Sequence, residues 1–250
     1  MTITASALAR FYRCGELYRL ASEGVPLPPT TRQCVSRAVR RAIQADLQSK
    51  MDTGALLATP DARRGLESAV RAHLAGDVYL TDAEAAAGNR RIFETVMLSA
   101  QRVYLMHRAV VAPKIQPAAL SRPFELVIGE HSVTGIIEIE EPTGTRATKV
   151  RARRPEEGEA SRDLSLAIQA LALEQMDGTP PSEATVDYLI EAKELAYVRQ
   201  TVEFEGGMLA AAESRVKAAL QAIEQGAFVP VDSQAWYCRS CQLRPVCRYV

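Results

Sequence analysis

From Phe124 to Glu140 the chain reads FELVIGEHSVTGIIEIE. Its apolar residues are mostly β-branched or aromatic, and Gly129-Glu130-His131 supplies turn chemistry in the middle. The stretch therefore predicts two strands, Phe124–Ile128 and Ser132–Glu140. A second turn at Pro142-Thr143-Gly144 leads into a third strand, Thr148–Arg153. Val150 and Ala152 of that strand share one face, and Arg151 and Arg153 share the other.

Working outward, Asp163–Met176 reads as a helix with Leu164, Ala167, Ile168, Leu171 and Ala172 on one face. Strands follow at Thr185–Ile190 and Tyr197–Phe204, then a helix at Gly207–Gln225. Upstream, Leu8, Phe11, Tyr12, Leu17 and Leu20 recur at helical spacing over residues 5–22, with Ser6 as the N-terminal cap. Pro26, Pro28 and Pro29 interrupt the chain, and residues 31–112 read as three or four helices. The order predicts one α/β domain over residues 1–250, with a mixed sheet, a helical region in front and a core over residues 115–230.

The bulk numbers exclude more than they specify. Thirty Lys and Arg balance thirty Asp and Glu, so nucleic-acid binding would need a local patch. No run of about 18 apolar residues suggests a membrane span. The opening MTITASALARFYRC lacks the layout of a signal peptide, which predicts cytoplasmic residence.

Five cysteines in such a chain point to metal rather than disulfides. Cys238, Cys241 and Cys247 crowd residues 236–250, and a Cys-x-x-Cys pair can turn both thiolates toward one metal. Cys14 or Cys34 could supply a fourth ligand. Four thiolates suit zinc or an iron–sulfur cluster, and spacing alone leaves both open. His73, His107 and His131 are scattered and read as surface or helix residues.

Two sets of residues carry a family likeness. Ala7-Leu8-Ala9-Arg10-Phe11-Tyr12-Arg13-Cys14-Gly15-Glu16-Leu17-Tyr18 resembles the opening of RecB-like and AddB-like nucleases and of the CRISPR-associated iron–sulfur exonucleases. Cys238, Cys241 and Cys247, with Arg244 and Pro245 between the last two, are similar to the closing triad of that family. The resemblance implies a restriction-endonuclease-like PD-(D/E)XK fold. It also implies one 4Fe–4S cluster held by Cys14, Cys238, Cys241 and Cys247, with the two ends of the domain together. Cys34, without a counterpart, reads as core.

The same family carries a Gly-x-Ile-Asp strand, then Glu/Asp-x-Lys, then a helix with Gln-x-x-x-Tyr. Its carboxylates hold Mg²⁺ or Mn²⁺, and its lysine helps activate water. Gly135-Ile136-Ile137-Glu138 fits the first motif. Counting forward puts the second on Arg151-Ala152-Arg153, and Ser165 and Gln169 at the helix positions. Glu125 is a further acid on the preceding strand. Arginines where a metal-ligand carboxylate belongs speak against Mg²⁺ or Mn²⁺ and predict a catalytically inactive nuclease fold. Such a protein would bind DNA through Arg146, Lys149, Arg151, Arg153 and Arg154, or serve as an assembly module for a protein partner in DNA processing. Those arginines would otherwise pair with Glu138, Glu140, Glu141 and Glu156–Glu159 and only hold the sheet. Two alternatives are an active nuclease with relocated acids at Glu125, Glu138 and Asp187, and a purely structural protein. Glu191-Ala192-Lys193 is a literal Glu-x-Lys, but it follows the helix rather than the hairpin.

Overall fold

In the computed structural model, which describes residues 1–232, 238 and 241–249, several helices begin where a side chain satisfies free backbone N–H groups. Thr4 accepts from the Ala7 N–H at 3.1 Å and caps α1, Ala5–Arg13. The cap is therefore Thr4 rather than Ser6. The helix expected over residues 5–22 is two helices, because Cys14 is extended (φ −171°, ψ 121°) and α2 runs Gly15–Ser22. A capping box of Thr30 and Gln33 opens α3, Thr31–Thr53, which ends on left-handed Gly54. After α4, Thr59–Leu74, a second box of Thr81 and Glu84 opens α5, Asp82–Val110, which bends at Gly88.

The strands are β1, Thr2–Thr4; β2, Ala119–Ile128; β3, His131–Glu141; β4, Gly144–Arg151; β5, Glu183–Ile190; and β6, Ala196–Glu203. Two further helices, α6 (Leu164–Asp177) and α7 (Met208–Glu224), complete the order. Strand β2 lies antiparallel along β3, and β4 pairs parallel with β5 through the α6 crossover. Strand β6 closes the far edge antiparallel to β5. Strand β1 is absent from the sequence reading. It runs parallel to β3 at residues 132–134.

The other edge of β3 is thereby divided. Residues 132–134 pair with β1, while 139–141 pair with Thr145, Arg146 and Gly144 of β4. Glu138 sits where β3 and β4 part. Helices flank the sheet. Val39, Ile43, Leu66 and Val96 of α3–α5 pack with Ile139 and Leu189. Leu8, Ile168, Leu171, Val216 and Leu220 of α1, α6 and α7 pack with Phe124, Leu126, Val133 and Ile137. Leu166 joins Ala147, Val186 and Tyr188. Among the described residues no helix is long and apolar enough to cross a membrane. The expected cysteine segment, 236–250, lies partly outside the described residues.

His107 lies in the last turns of α5, on its buried side rather than at the surface. It is fully buried, and neither ring nitrogen has a hydrogen-bond partner among the described residues. Burial holds it neutral and lowers its pKa to about 4; nearby Asp187 opposes the shift and Arg146 adds to it. An unfolded imidazole takes up its proton near pH 6.5, so the unfolded chain binds more protons between pH 6.5 and about 4. Stability should fall across that window, by up to about 3 kcal/mol from this group. His107→Leu should flatten that part of a urea-unfolding profile against pH. An unchanged slope would show that His107 is protonated in the folded chain.

Candidate functional site

The parting of β3 and β4 leaves backbone groups without a ladder partner, and Glu138 fills the gap. Its Oε2 accepts the Thr148 N–H at 3.2 Å, and its Oε1 accepts Arg40 Nη1 of α3 at 2.7 Å. The β3–β4 ladder ends at the Ile139–Arg146 pair, and Ala147 is the next residue of β4 beyond it. Lys149 lies one residue beyond Thr148, is partly buried and contacts Asp163, the N-cap of α6. Burial pushes the Lys149 ammonium down to about 8, and Arg151 adds repulsion; Glu159 and Glu138 pull it back up. It is still a cation at neutral pH. Glu138 thus stands among Arg40, a backbone N–H and a nearby lysine.

The remaining sequence-marked residues are spread around this centre. Arg151 pairs with Glu159 and stacks 4.9 Å from the Tyr188 ring centroid. Burial works to raise the Glu159 carboxyl, but bonds from Arg151 and the Glu156 N–H hold it below the usual range. Arg153 and Arg154 lie past the end of β4 and are exposed. Arg146 points inward, with Nε on Glu141 at 2.6 Å and Nη1 on Asp187 at 2.8 Å. It is buried and not placed to meet a phosphate. The reading in which arginines pair with nearby acids is thus what Arg146 and Arg151 do.

Ser165, in the first turn of α6, donates its hydroxyl to Asp163 at 2.6 Å. Gln169 is one turn further, and its Oε1 is buried without a partner among the described residues. Glu125 is exposed on β2 opposite Thr134. That is four residues along β3 from Glu138, about 13 Å at ~3.3 Å per residue. Asp187 is fully buried and saturated by Arg146, by the Tyr197 hydroxyl at 2.6 Å and by Arg199 at 3.4 Å. Glu191 accepts from Ser99, away from the β3–β4 parting. Arg40 is not marked by the sequence motifs. Its bond to Glu138 depends on an approach of α3 that spacing does not show.

The cysteines form a second centre. Cys14, Cys238, Cys241 and Cys247 line one cavity, together with Leu17, Leu20 and Leu243. Backbone bonds run from Cys241 N to Cys238 O at 3.2 Å and from Arg244 N to Cys241 O at 3.1 Å. Burial and the nearby Cys241, Cys247 and Cys14 push the Cys238 thiol up. Among the described residues no three His, Cys, Asp or Glu side chains already form a closed metal-ligand group. Four thiols around one cavity are nevertheless a donor set that fits zinc or a 4Fe–4S cluster. Cys34 is apart in the helical core, its Sγ 3.5 Å from the His73 carbonyl.

Local structure holds this second centre together. Gly15, directly after Cys14, donates its N–H to Val229 O at 2.9 Å. Buried Glu16 is bonded by Arg19 at 2.7 Å and lies 3.5 Å from Arg248. Tyr18 stacks against Phe228 at 5.8 Å. Residues 14–18 and the segment leading to the triad are thus in direct contact, as the resemblance implied.

The chain belongs to the PD-(D/E)XK nuclease superfamily, whose family model matches residues 2–248. Among solved structures it is similar to one described as "Putative exonuclease" from Eubacterium rectale, with a TM-score of 0.58 over 96% of this chain and 88% of that one. Identity is 11%, so this likeness is one of fold. No curated protein matches the chain.

A Cβ on Gly15 would stand 2.6 Å from Val229 N and 2.8 Å from Phe228 C, both backbone atoms that cannot swing aside. Gly15→Ala should therefore separate the two segments, at a cost of about 1–3 kcal/mol. Urea unfolding together with limited proteolysis of the C-terminal segment checks this. An unchanged midpoint and cleavage pattern would show that the contact at Val229 is dispensable.

Proposed function

We propose that this chain is an iron–sulfur member of the RecB/AddB-like branch that binds DNA and does not cleave it. The observation that carries the reading is the company of Glu138. A divalent site on this fold needs two carboxylates close together. Here Glu138 is held by Arg40 and the Thr148 N–H, Asp163 is engaged by Lys149, and Ala147, the next β4 residue past the last ladder pair, carries no acid.

This geometry favours placing the second motif at Ala147-Thr148-Lys149 rather than Arg151-Ala152-Arg153. On that reading the motif lysine remains as Lys149 and the metal-ligand acid has become alanine. Loss of that acid, and not a repelling arginine, is what disables the centre. Arg153 and Arg154 lie exposed past the end of β4, where they suit phosphate contacts, while Arg151 is engaged by Glu159. Such contacts give sequence-independent affinity that weakens with salt.

Cys14, Cys238, Cys241 and Cys247 would hold the 4Fe–4S cluster. Its role in this reading is to fasten α1 and α2 to the C-terminal segment, coupling ligation to folding. Anaerobically purified protein should be brown, and Cys241→Ser should lose iron and stability while Cys34→Ser keeps both. A colourless protein with one zinc per chain would remove the cluster and keep the four-cysteine site.

Labelled single- and double-stranded DNA incubated with Mg²⁺ or Mn²⁺ should stay intact while showing salt-sensitive binding. Ala147→Asp places a carboxylate on β4 just past the last ladder pair and should raise Mn²⁺ affinity. Metal-dependent cleavage by the natural chain that disappears in Glu138→Gln would overturn the inactive reading. Absence of any DNA binding at low salt would leave the assembly-module reading in its place.

A further inference from the structure

A groove of about 710 Å³ runs between α1, the first turns of α3 and the cysteine segment. Among the described residues that line it, four are Arg10, Arg13, Arg32 and Arg37, and none is acidic. In a chain whose charges balance overall, that is a concentrated positive surface. Arg13, Arg32 and Arg37 are exposed, and Arg10 spends its Nε on the Ser6 carbonyl at 3.3 Å. The N-terminal end of the 23-residue α3 also opens here and adds a partial positive charge. His73 senses the same field: after burial, Arg37, Arg41 and Arg40 are what lower its pKa.

We propose that this groove is a track for the phosphate backbone of a single nucleic-acid strand, leading along α3 to the Glu138 centre. The inference rests on the DNA-binding reading above and gives it a second, separate surface. Continuity argues for a strand. At 100° per residue, Arg32, Arg37 and Arg40 fall within one 140° sector of α3. They span about 12 Å at ~1.5 Å per residue. Arg40, at the end of the row, is the residue bonded to Glu138. Leu17 and Leu27 give the groove apolar wall beside the cations, against which bases can lie. Cys241 and Gln242 close its other side, so the cysteine segment forms one bank of the track.

Fluorescence anisotropy of a labelled oligothymidylate, measured over a range of KCl concentrations with the metal-loaded full chain, tests the proposal. The triple change Arg10→Glu, Arg32→Glu, Arg37→Glu should weaken binding at least about tenfold at low salt. It should also flatten the slope of log K against log salt by about 2, since each single-strand phosphate contact contributes ~0.7. The corresponding Arg→Lys triple should keep the natural slope, because the contact is one of charge. Should the reversal triple fail to match the natural unfolding midpoint, Arg32→Glu alone should still lower the slope by about 0.7. If the triple binds like the natural chain while Arg154→Glu binds more weakly, the groove proposal fails and the DNA-binding reading stands. If the natural chain does not bind the oligonucleotide at low salt, both fail. Equal competition by polyglutamate would mark the groove as a site for acidic peptides and would also overturn the track.

Discussion

Past Ile139 the backbones of β3 and β4 separate, and a carboxylate stands in for the lost ladder bond. Glu138 accepts the Thr148 N–H on one oxygen and Arg40 on the other. Backbone groups buried in a sheet need partners, so this one side chain lets the hairpin open without leaving the Thr148 N–H unsatisfied. The opening brings α3, β3, β4 and the start of α6 to a single point. In a metal-dependent nuclease such a point would gather acids. Here it gathers Arg40, Lys149 and one glutamate, with Asp163 engaged by Lys149 and by Ser165. On the proposed reading, that company makes the opening a place for phosphate rather than for a divalent metal.

The N-terminal segment braces the other half of the same edge. Strand β1 takes residues 132–134 of β3, directly beside the opening. It passes straight into α1, and the chain then turns sharply at Cys14 into α2. That turn presents the first thiol to Cys238, Cys241 and Cys247 while Gly15 meets Val229. The two centres are therefore mechanically linked through α1, and the arginine-lined groove lies between them.

Much of this was legible in the sequence. Alternation and turn chemistry marked β2, β3, β5 and β6 to within a few residues, and the long apolar faces marked α6 and α7. The cysteine pattern, read with the flanking Arg10 to Tyr18 segment, brought residues more than 200 positions apart to one cavity. What failed to show had physical reasons. Strand β1 is three residues long, too short for any period. The connection at Pro142-Thr143 is tighter than the turn chemistry suggested, so β4 starts at Gly144 instead of Thr148. That earlier start is what brings Ala147 and Lys149, in place of Arg151 and Arg153, toward Glu138. The inward turn of Arg146 follows from a buried partner, Asp187, supplied by a strand 41 residues away. Arg40 could not be assigned to Glu138 because that contact spans 98 residues and depends on how α3 packs.

The central claim is that the β3–β4 opening attracts phosphate and repels divalent metal. Titration of Mn²⁺ into the natural chain, followed by electron paramagnetic resonance of the free ion, tests it most directly. The account predicts no saturable site at millimolar metal, with Glu138→Gln giving the same curve. One Mn²⁺ bound per chain, and released by Glu138→Gln, would contradict it.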